Sequence, residues 1–209
     1  MKSNSLKTTT SSLPFNWYYD HKIFKQENDK IFKSEWLYVC HINSINKNQY
    51  RTLNINNKNI VVIKNKLEEI SIFYNTCLHR GSQIFNDQEG SIKAPVIICP
   101  YHQWSYDIKS GSLLNTTSLI LDKFDKKKYA LKKINFFIWK GLIFVNLKSN
   151  KKFNVKSIFQ YYDSVIDKIN FENYSVGHVW KKNVRCNWKI YWENYSECLH
   201  CPNIHPELS

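Results

Sequence analysis

The chain has 209 residues, of which 43% are hydrophobic, 15% aromatic and 22% charged, a composition typical of a globular protein rather than a disordered one. An excess of Lys and Arg (30) over Asp and Glu (17) gives a net charge of +13, which draws attention to acidic partners and nucleic acid. No apolar run approaches the roughly 18 residues of a membrane span, and the polar N-terminus lacks the apolar core of a secretory signal, so we expect a cytoplasmic protein with no membrane association.

The first part of the chain changes from a helical to a strand-like pattern. Residues 1–12 are a polar tail, and a helix is predicted over 20–36, with Asp20 as its cap. Short stretches rich in Ile, Val and Tyr follow, separated by polar turn residues such as Asn56-Asn57. These stretches predict antiparallel strands over 37–42, 51–55, 59–64 and 69–74.

The later part of the chain returns to a helical pattern. A hairpin is predicted over 136–147, and apolar residues at helical spacing predict a core-packing amphipathic helix over 155–169. This change places a domain boundary near Lys151. The expected parts are an N-terminal tail and helix, a β-rich domain and the start of a further domain, over 1–36, 37–150 and 151–209.

The six cysteines are too few for a disulfide scaffold in a chain of this length, so thiols or metal ligands are the better interpretation. Cys40 and Cys186 belong to no pattern and are predicted to be packing residues. The isolated His21, His41 and His178 are given no role.

Four of the remaining side chains form two similar half-motifs. Cys77-x-His79 follows a predicted strand, and Cys99-x-x-His102 follows the apolar stretch 96–98. Structural zinc sites more often pair Cys with Cys and His with His at short spacing, whereas each half here offers one thiolate and one imidazole. A Rieske centre, with one iron on two thiolates and the other on two imidazoles, fits this pattern. Zinc, or buried thiols with hydrogen-bonded imidazoles, remain alternatives.

The residues that flank the half-motifs add to this pattern. Residues 77–81 and 99–104 resemble the two cluster loops of Rieske proteins. Gly81 lets the backbone approach the sulfides, and Pro100 stiffens the second loop. Gln103 stands where the family usually has glycine, which brings the tightness of that loop into question.

A second constellation lies near the end of the chain. Glu197 and His200 are three residues apart and would share one face of a helix. Pro202 and Pro206 disfavour a continuous helix, so His205 is expected to fold back from the following turn. Two imidazoles brought together in this way suit the divalent iron of two-His-one-carboxylate oxygenases. From two histidines alone, zinc or a surface pair fits equally well.

Both constellations in this order resemble the large (α) subunit of Rieske non-haem iron oxygenases, from about Leu13 to the final residue. By that resemblance His200 and His205 hold the catalytic iron. Glu197 matches the acidic bridge to the Rieske centre of a neighbouring subunit, and Asn194 matches the family's amide near the iron.

The resemblance implies an α+β fold, in which an all-β Rieske domain is followed by the truncated start of a helix-grip catalytic domain, with the N-terminal helix packed on that second domain. It implies a 2Fe-2S Rieske cluster and a mononuclear Fe(II). Electrons from NAD(P)H are expected through a flavin and iron–sulfur reductase or a ferredoxin, for dioxygen-dependent hydroxylation or oxidative demethylation of a small molecule. Many members of the family are trimers, so the full-length protein is expected to be a homotrimer.

Two features of this sequence qualify the resemblance. Glu197 replaces the aspartate usual in aromatic-ring enzymes, which is similar to the branch that acts on quaternary ammonium compounds. The family's third iron ligand lies well downstream, and neither Glu193 nor Glu207 holds its position. The chain is therefore expected to be an N-terminal part of an oxygenase subunit that carries the cluster but turns over no substrate alone.

Two other function classes stay open at this point. A Rieske ferredoxin-like electron carrier is the alternative, although such a carrier needs no second constellation. A zinc-bound interaction module is the other class, since Cys198-x-x-Cys201 looks zinc-like beside the two histidines. One lysine run lies at 126–128 and is followed by Lys132 and Lys133, and a looser run lies at 148–152. Neither run is interleaved with aromatics as a base-stacking surface would be, so no nucleic acid is expected. An acidic redox partner fits the charge.

Overall fold

A computed structural model of the chain describes residues 12–117, 124–148, 159–160, 162, 165–197 and 199–208. The chain divides into two units. One unit comprises residues 28–179, and the other joins the residues up to Glu27 to those from Trp180 onward. Among the described residues, no helix is both long enough and apolar enough to cross a membrane.

In the unit formed by residues 28–179, the described residues form short antiparallel strands in three sheets. The strands are β1 (Leu37–His41), β2 (Gln49–Ile55), β3 (Lys58–Lys64), β4 (Ile70–Tyr74), β5 (Glu89–Ser91), β6 (Val96–Ile98), β7 (Ser105–Asp107), β8 (Leu113–Asn115), β9 (Asn135–Trp139) and β10 (Leu142–Asn146). Their order is β1-β10-β9, β4-β3-β2-β5 and β6-β7-β8. The expected β-rich domain is thus observed, and all the predicted strands are present.

Helical segments are short. The α-helices that lie wholly within the described residues are His21–Glu27, Trp188–Ser196 and Cys201–Ile204. The other helical turns there are a π-helix at Asn28–Phe32 and 3-10 turns at Phe15–Tyr18, Ile42–Ser44, Lys126–Tyr129, Asp167–Ile169, Phe171–Asn173 and Pro206–Leu208. Asp20 caps the first helix as predicted, because its Oδ1 accepts the Lys22 N–H at 2.7 Å. This helical stretch ends at Phe32, earlier than predicted. Of the helix predicted over 155–169, residues 155–158, 161, 163 and 164 lie outside the described residues.

The hairpin predicted over 136–147 is confirmed, and the turn residues Asn56-Asn57 also join two antiparallel strands. The turn between β2 and β3 has Asn56 and Asn57 at φ 47° and 58°, and the turn between β9 and β10 has Lys140 and Gly141 at φ 49° and 80°. Positive φ at both central residues is characteristic of type I′ turns, and the twist of these turns matches the right-handed twist of the flanking strands. Gly141 is also needed for space, because a Cβ there would collide with the His41 imidazole.

The core of this unit lies on both faces of β3. Val61 and Ile63 belong to one buried cluster, and Ile60 and Val62 belong to a second. Burial on both faces explains why β3 is a continuous apolar run rather than an alternating one. The first cluster also contains both thiols of the half-motifs, so that site is part of a packed core.

In the other unit, the N-terminal helix packs against the helix Trp188–Ser196, as the family resemblance implied. The Lys189 Nζ lies 2.6 Å from the Glu27 Oε1, and these two side chains are only 6% and 9% exposed. Trp188 donates its indole N–H to the other Glu27 oxygen at 2.9 Å. A buried carboxylate is therefore satisfied by one ammonium and one indole.

Candidate functional site

The two half-motifs lie on two loops that close in the same way. In the first loop, the Cys77 N–H donates to the Ser82 carbonyl at 2.8 Å, and the Gly81 N–H donates back to the Cys77 carbonyl at 2.9 Å. In the second loop, between β6 and β7, the Cys99 N–H donates to Trp104 O at 2.9 Å and the Gln103 N–H to Cys99 O at 3.0 Å. Each cysteine is thus held by its own backbone at the neck of a tight loop.

The fourth residue after each cysteine has a left-handed backbone, which explains the family's glycine at that place. Gly81 has φ 75° and Gln103 has φ 57°. Glycine adopts this region without the steric penalty that a Cβ brings. The second loop nevertheless closes with the same pair of backbone hydrogen bonds, so Gln103 does not loosen it. Its cost is a strained backbone at Gln103.

The four candidate ligands group by type. Cys77 and Cys99 are each 1% exposed and belong to one core cluster, whereas His79 and His102 are half-buried with ring centroids 4.6 Å apart. Among the described residues, no group of three or more His, Cys, Asp and Glu side chains is close enough to hold one metal ion. The arrangement is therefore a pair of thiols beneath a pair of imidazoles.

Burial shifts the pKa of two of the candidate ligands. Burial raises the pKa of the Cys77 thiol, and the neighbouring Cys99 adds to the shift, so this thiol resists ionisation unless a cation is close. Burial also lowers the pKa of His79, helped by the charge of His102. The imidazole is then neutral, which is the form that ligates metals.

An orphaned nitrogen tests whether an iron–sulfur group fits here. The Nδ1 of His79 is buried and has no hydrogen-bond partner among the described residues. Buried polar atoms are nearly always paired, so this nitrogen is accounted for by an absent ligand. Two thiolates and two imidazoles are the donor set of a Rieske centre, and the residues present fit that group.

Two aromatic residues that belong to neither half-motif support this site, and neither role was predicted from the sequence. Trp104 is 2% exposed and stacks on the His79 ring, with centroids 4.5 Å apart and an interplanar angle of 7°. Tyr106 is fully buried, and its hydroxyl lies 2.9 Å from Cys77 Sγ. Both lie in or beside β7, and their alternate positions could have indicated a shared inward face.

A third supporting residue, Asn75, was also missed. It is 1% exposed, and its Nδ2 donates to Asn59 Oδ1 at 2.6 Å and to the Phe85 carbonyl at 2.7 Å. Its Oδ1 accepts the N–H groups of Phe85 and Ile84 at 2.9 and 3.3 Å. One side chain two residues before Cys77 thus ties both ends of the first loop to β3.

The second constellation is brought together by a turn and not by a helix. The helix Trp188–Ser196 ends before Glu197, which is extended at φ −111° and ψ 122°. The prediction that Glu197 and His200 share a helix face is therefore wrong. The two residues still meet, because His200 Nδ1 lies 3.1 Å from Glu197 Oε2, and the Leu199 N–H donates to the other Glu197 oxygen.

His205 folds back as predicted. His200 precedes and His205 follows the one-turn helix Cys201–Ile204, with Pro202 in its first turn, and the two rings lie 5.8 Å apart between centroids. The His200 contact lowers the pKa of Glu197, so this carboxylate stays ionised. With Nδ1 taken by Glu197, the Nε2 of His200 is the nitrogen available to a metal, so these residues fit one that binds imidazole.

Other residues singled out from the sequence have different settings. Asn194 is exposed on the helix Trp188–Ser196. Glu193 accepts the Tyr18 hydroxyl at 2.7 Å. The prediction that Cys186 is a packing residue is wrong, because its side chain is exposed, while Cys40 is buried as expected. Cys198 lies outside the described residues.

Two family models match the chain. Residues 35–124 match the Rieske [2Fe-2S] domain, and residues 171–209 match the catalytic domain of the ring hydroxylating alpha subunit. The first match includes both loops, and the second includes the segment from Asn194 to His205.

The chain is also similar to curated oxygenase subunits. It is 33% identical over 200 residues to the glycine betaine monooxygenase oxygenase subunit of Pseudomonas aeruginosa. The aligned region covers 94% of this chain and 45% of that protein. It is 28% identical to the carnitine monooxygenase oxygenase subunit of Escherichia coli K12, over 95% of this chain and 53% of that protein. The chain thus spans about half the length of the curated relatives it matches.

Solved structures give the same picture. A quaternary ammonium Rieske monooxygenase in complex with L-carnitine superposes with a TM-score of 0.85 at 26% identity, over 94% of this chain and 56% of that one. Naphthalene 1,2-dioxygenase from Rhodococcus sp. superposes with a TM-score of 0.75 at 23% identity, over 94% and 46%, which shows a likeness of fold alone.

Proposed function

Because this chain belongs to the Rieske non-haem iron oxygenases, as the N-terminal portion of an α subunit, we propose that it binds a Rieske [2Fe–2S] cluster and supplies two histidines to the mononuclear iron of a quaternary ammonium oxygenase. The main support for this proposal is the pair of buried thiols beside the pair of imidazoles, on two loops that are closed by the same pattern of backbone hydrogen bonds.

In the cluster site, Cys77 and Cys99 would hold one iron, and His79 and His102 the other. The group supplies one-electron transfer when bound. With Cys77 as a thiolate ligand, the Tyr106 hydroxyl, 2.9 Å from the Cys77 sulfur, would donate to it, and such hydrogen bonds are among the factors that set a cluster's reduction potential.

In the iron site, His200 and His205 would be the two imidazole ligands. Glu197 accepts a hydrogen bond from His200 Nδ1, which fixes the tautomer, so Nε2 would be the atom that binds the metal. The same carboxylate is the proposed bridge to a neighbouring subunit's cluster, and Asn194 is the proposed amide near the iron. An iron with open positions in such a site supports dioxygen chemistry.

We propose that the whole oxygenase subunit carries out dioxygen-dependent oxidative demethylation or hydroxylation of a trimethylammonium compound. Two lines support this substrate class: relatives named for glycine betaine and carnitine, and Glu197 at the bridge position. A reductase or ferredoxin as electron donor, a homotrimer and a cytoplasmic location belong to the same proposal.

The electron-carrier alternative is less well supported. The relatives are oxygenase subunits, and residues 171–209 match a catalytic domain that a carrier does not need.

The experiment that tests the proposed role is a chimera. This chain replaces the matching part of the Pseudomonas aeruginosa glycine betaine monooxygenase oxygenase subunit, and bound iron and sulfide are measured before turnover with that enzyme's reductase. We expect a loaded cluster and glycine betaine oxidation, with turnover but not the cluster lost in His200→Ala. A loaded chimera in which His200→Ala turns over normally would show that this histidine is not an iron ligand.

The substrate class needs a separate measurement on the whole subunit that contains this chain. We expect turnover of glycine betaine or carnitine and none of naphthalene. Turnover of arenes alone would overturn the trimethylammonium proposal.

A further inference from the structure

An open groove of about 690 Å³ lies on the unit formed by residues 28–179, beside the first cluster loop. Its apolar lining includes Ile134 and Leu147, and Tyr74 is anchored there because its hydroxyl donates to the Leu147 carbonyl at 3.2 Å. Leu78, which stands between the proposed ligands Cys77 and His79, also lines the groove. A molecule seated in this groove would therefore touch the loop that carries half of the cluster ligands.

The charge of the groove has one sign. Lys58, Lys132 and Lys133 line it and are exposed, and no Asp or Glu is among its described lining residues. A groove lined by three lysines together with apolar side chains attracts a surface that combines carboxylates with aliphatic side chains. Complementary charges of this kind mainly speed encounter and fix the relative orientation of the two proteins.

Resting on the proposed function, we propose that this basic groove is the docking site of an acidic electron-donor protein of the flavin or iron–sulfur class. Leu78 is the point at which the donor contacts the cluster loop. A single-stranded nucleic acid fits less well, because Tyr74 is the one aromatic residue among the described lining residues and its hydroxyl is engaged, so there is no row of rings for bases to stack on.

The test measures association directly, without turnover. The probe is an oxidised, acidic plant-type ferredoxin labelled with a fluorophore, and its dissociation constant for the loaded 209-residue chain is measured by anisotropy at low and at high salt. The triple variant Lys58→Glu/Lys132→Glu/Lys133→Glu is expected to weaken binding about tenfold or more at low salt, and high salt is expected to remove most of the difference.

The matched control changes the same net charge elsewhere. Lys30, Lys66 and Lys93 are exposed and do not line the groove, so their triple Glu variant is expected to bind within about twofold of the parent. A further triple variant reverses the run Lys126–Lys128. The docking proposal is overturned if the groove variant binds like the control, if the 126–128 variant loses more affinity than the groove variant, or if the parent does not bind the ferredoxin.

Cluster content separates this proposal from the one on which it rests. Each variant is assayed for iron and sulfide and for reduction by dithionite, a small donor that needs no docking site. A groove variant that is fully loaded and reduced by dithionite but fails to bind ferredoxin supports the docking site. A parent chain that holds no cluster would contradict the proposed function, whether or not it binds ferredoxin.

Discussion

The two candidate sites differ in what holds their ligands. Cys77 and Cys99 lie in a packed core, each at the neck of a loop closed by two backbone hydrogen bonds. His200 and His205 flank a single helical turn, and neighbouring apolar side chains such as Leu199 are largely exposed, at 84%. The first geometry is imposed by a core shared by two sheets, β4-β3-β2-β5 and β6-β7-β8, whereas the second rests on local turn contacts. Substitutions should therefore damage fold and cluster together in the first region, but metal binding alone in the second.

The largest expected effect is loss of the cluster. Cys99→Ser should remove nearly all bound iron and sulfide, because a hydroxyl replaces one of the two thiolates that hold one iron. His200→Ala should leave the cluster fully loaded. Both are checked by iron and sulfide assays on the purified chain.

The matched control for that comparison is Cys186→Ser, since the Cys186 side chain is exposed and outside both sites. It should retain the parent's iron and sulfide. Loss of sulfide in His200→Ala would contradict the independence of the two regions.

Next in size is the effect of removing the amide that ties the first loop to β3. Asn75→Leu leaves the buried backbone groups of Ile84 and Phe85 without partners, and we expect about 3–5 kcal/mol less free energy of unfolding. Urea unfolding followed by tryptophan fluorescence measures it. The same change at the exposed Asn203 should cost less than about 0.5 kcal/mol. Equal losses at Asn75 and Asn203 would show that the hydrogen bonds of Asn75 do not stabilise the fold.

The buried ion pair should matter somewhat less. Lys189→Met leaves the Glu27 carboxylate buried with only the Trp188 indole, and we expect a loss of about 3 kcal/mol in the unit that contains the N-terminal helix. The double variant Glu27→Leu/Lys189→Met removes both charges and should recover much of that loss. Hydrogen exchange of the helix Trp188–Ser196 reports on it, and a double variant no more stable than Lys189→Met would show that charge burial is not the cause.

The smallest effects compare the two left-handed positions. Gly81→Ala should lower the free energy of unfolding by about 1 kcal/mol, and Gln103→Gly should raise it by a similar amount. At Gly81 no atom lies within 4 Å of the added Cβ, so the cost there is that of the backbone conformation alone. The denaturant midpoints of the two variants should move in opposite directions. A shift of both midpoints in the same direction would show that backbone strain at Gln103 does not explain the difference between the two loops.

Much of the fold and the ligand sets could be predicted from local pattern. The hairpins around Asn56-Asn57 and Lys140-Gly141 follow from turn chemistry, and the half-motifs carried the cluster ligands. The strands β5, β7 and β8 were missed because runs of three residues show no period. The helix face shared by Glu197 and His200 was predicted wrongly because spacing alone does not show that the helix ends at Ser196.

Individual side-chain contacts between distant parts of the chain could not be predicted, although the resemblance implied that the N-terminal helix packs on the second domain. Glu27 and Lys189 are 162 residues apart, and nothing in the charge pattern pairs them. Asn75 looks like an ordinary loop residue until the fold surrounds its side chain with four backbone and amide partners. These residues carry large expected effects because they join segments that the sequence separates.

The most direct test of this account is the iron and acid-labile sulfide content of the chain after anaerobic purification. A Rieske centre at Cys77, His79, Cys99 and His102 requires about two irons and two sulfides per chain. Iron beyond the two atoms of the cluster, if it is lost in His200→Ala, would show that the site at His200 and His205 also binds iron. Zinc without sulfide, or sulfide that survives in Cys99→Ser, would contradict the central claim.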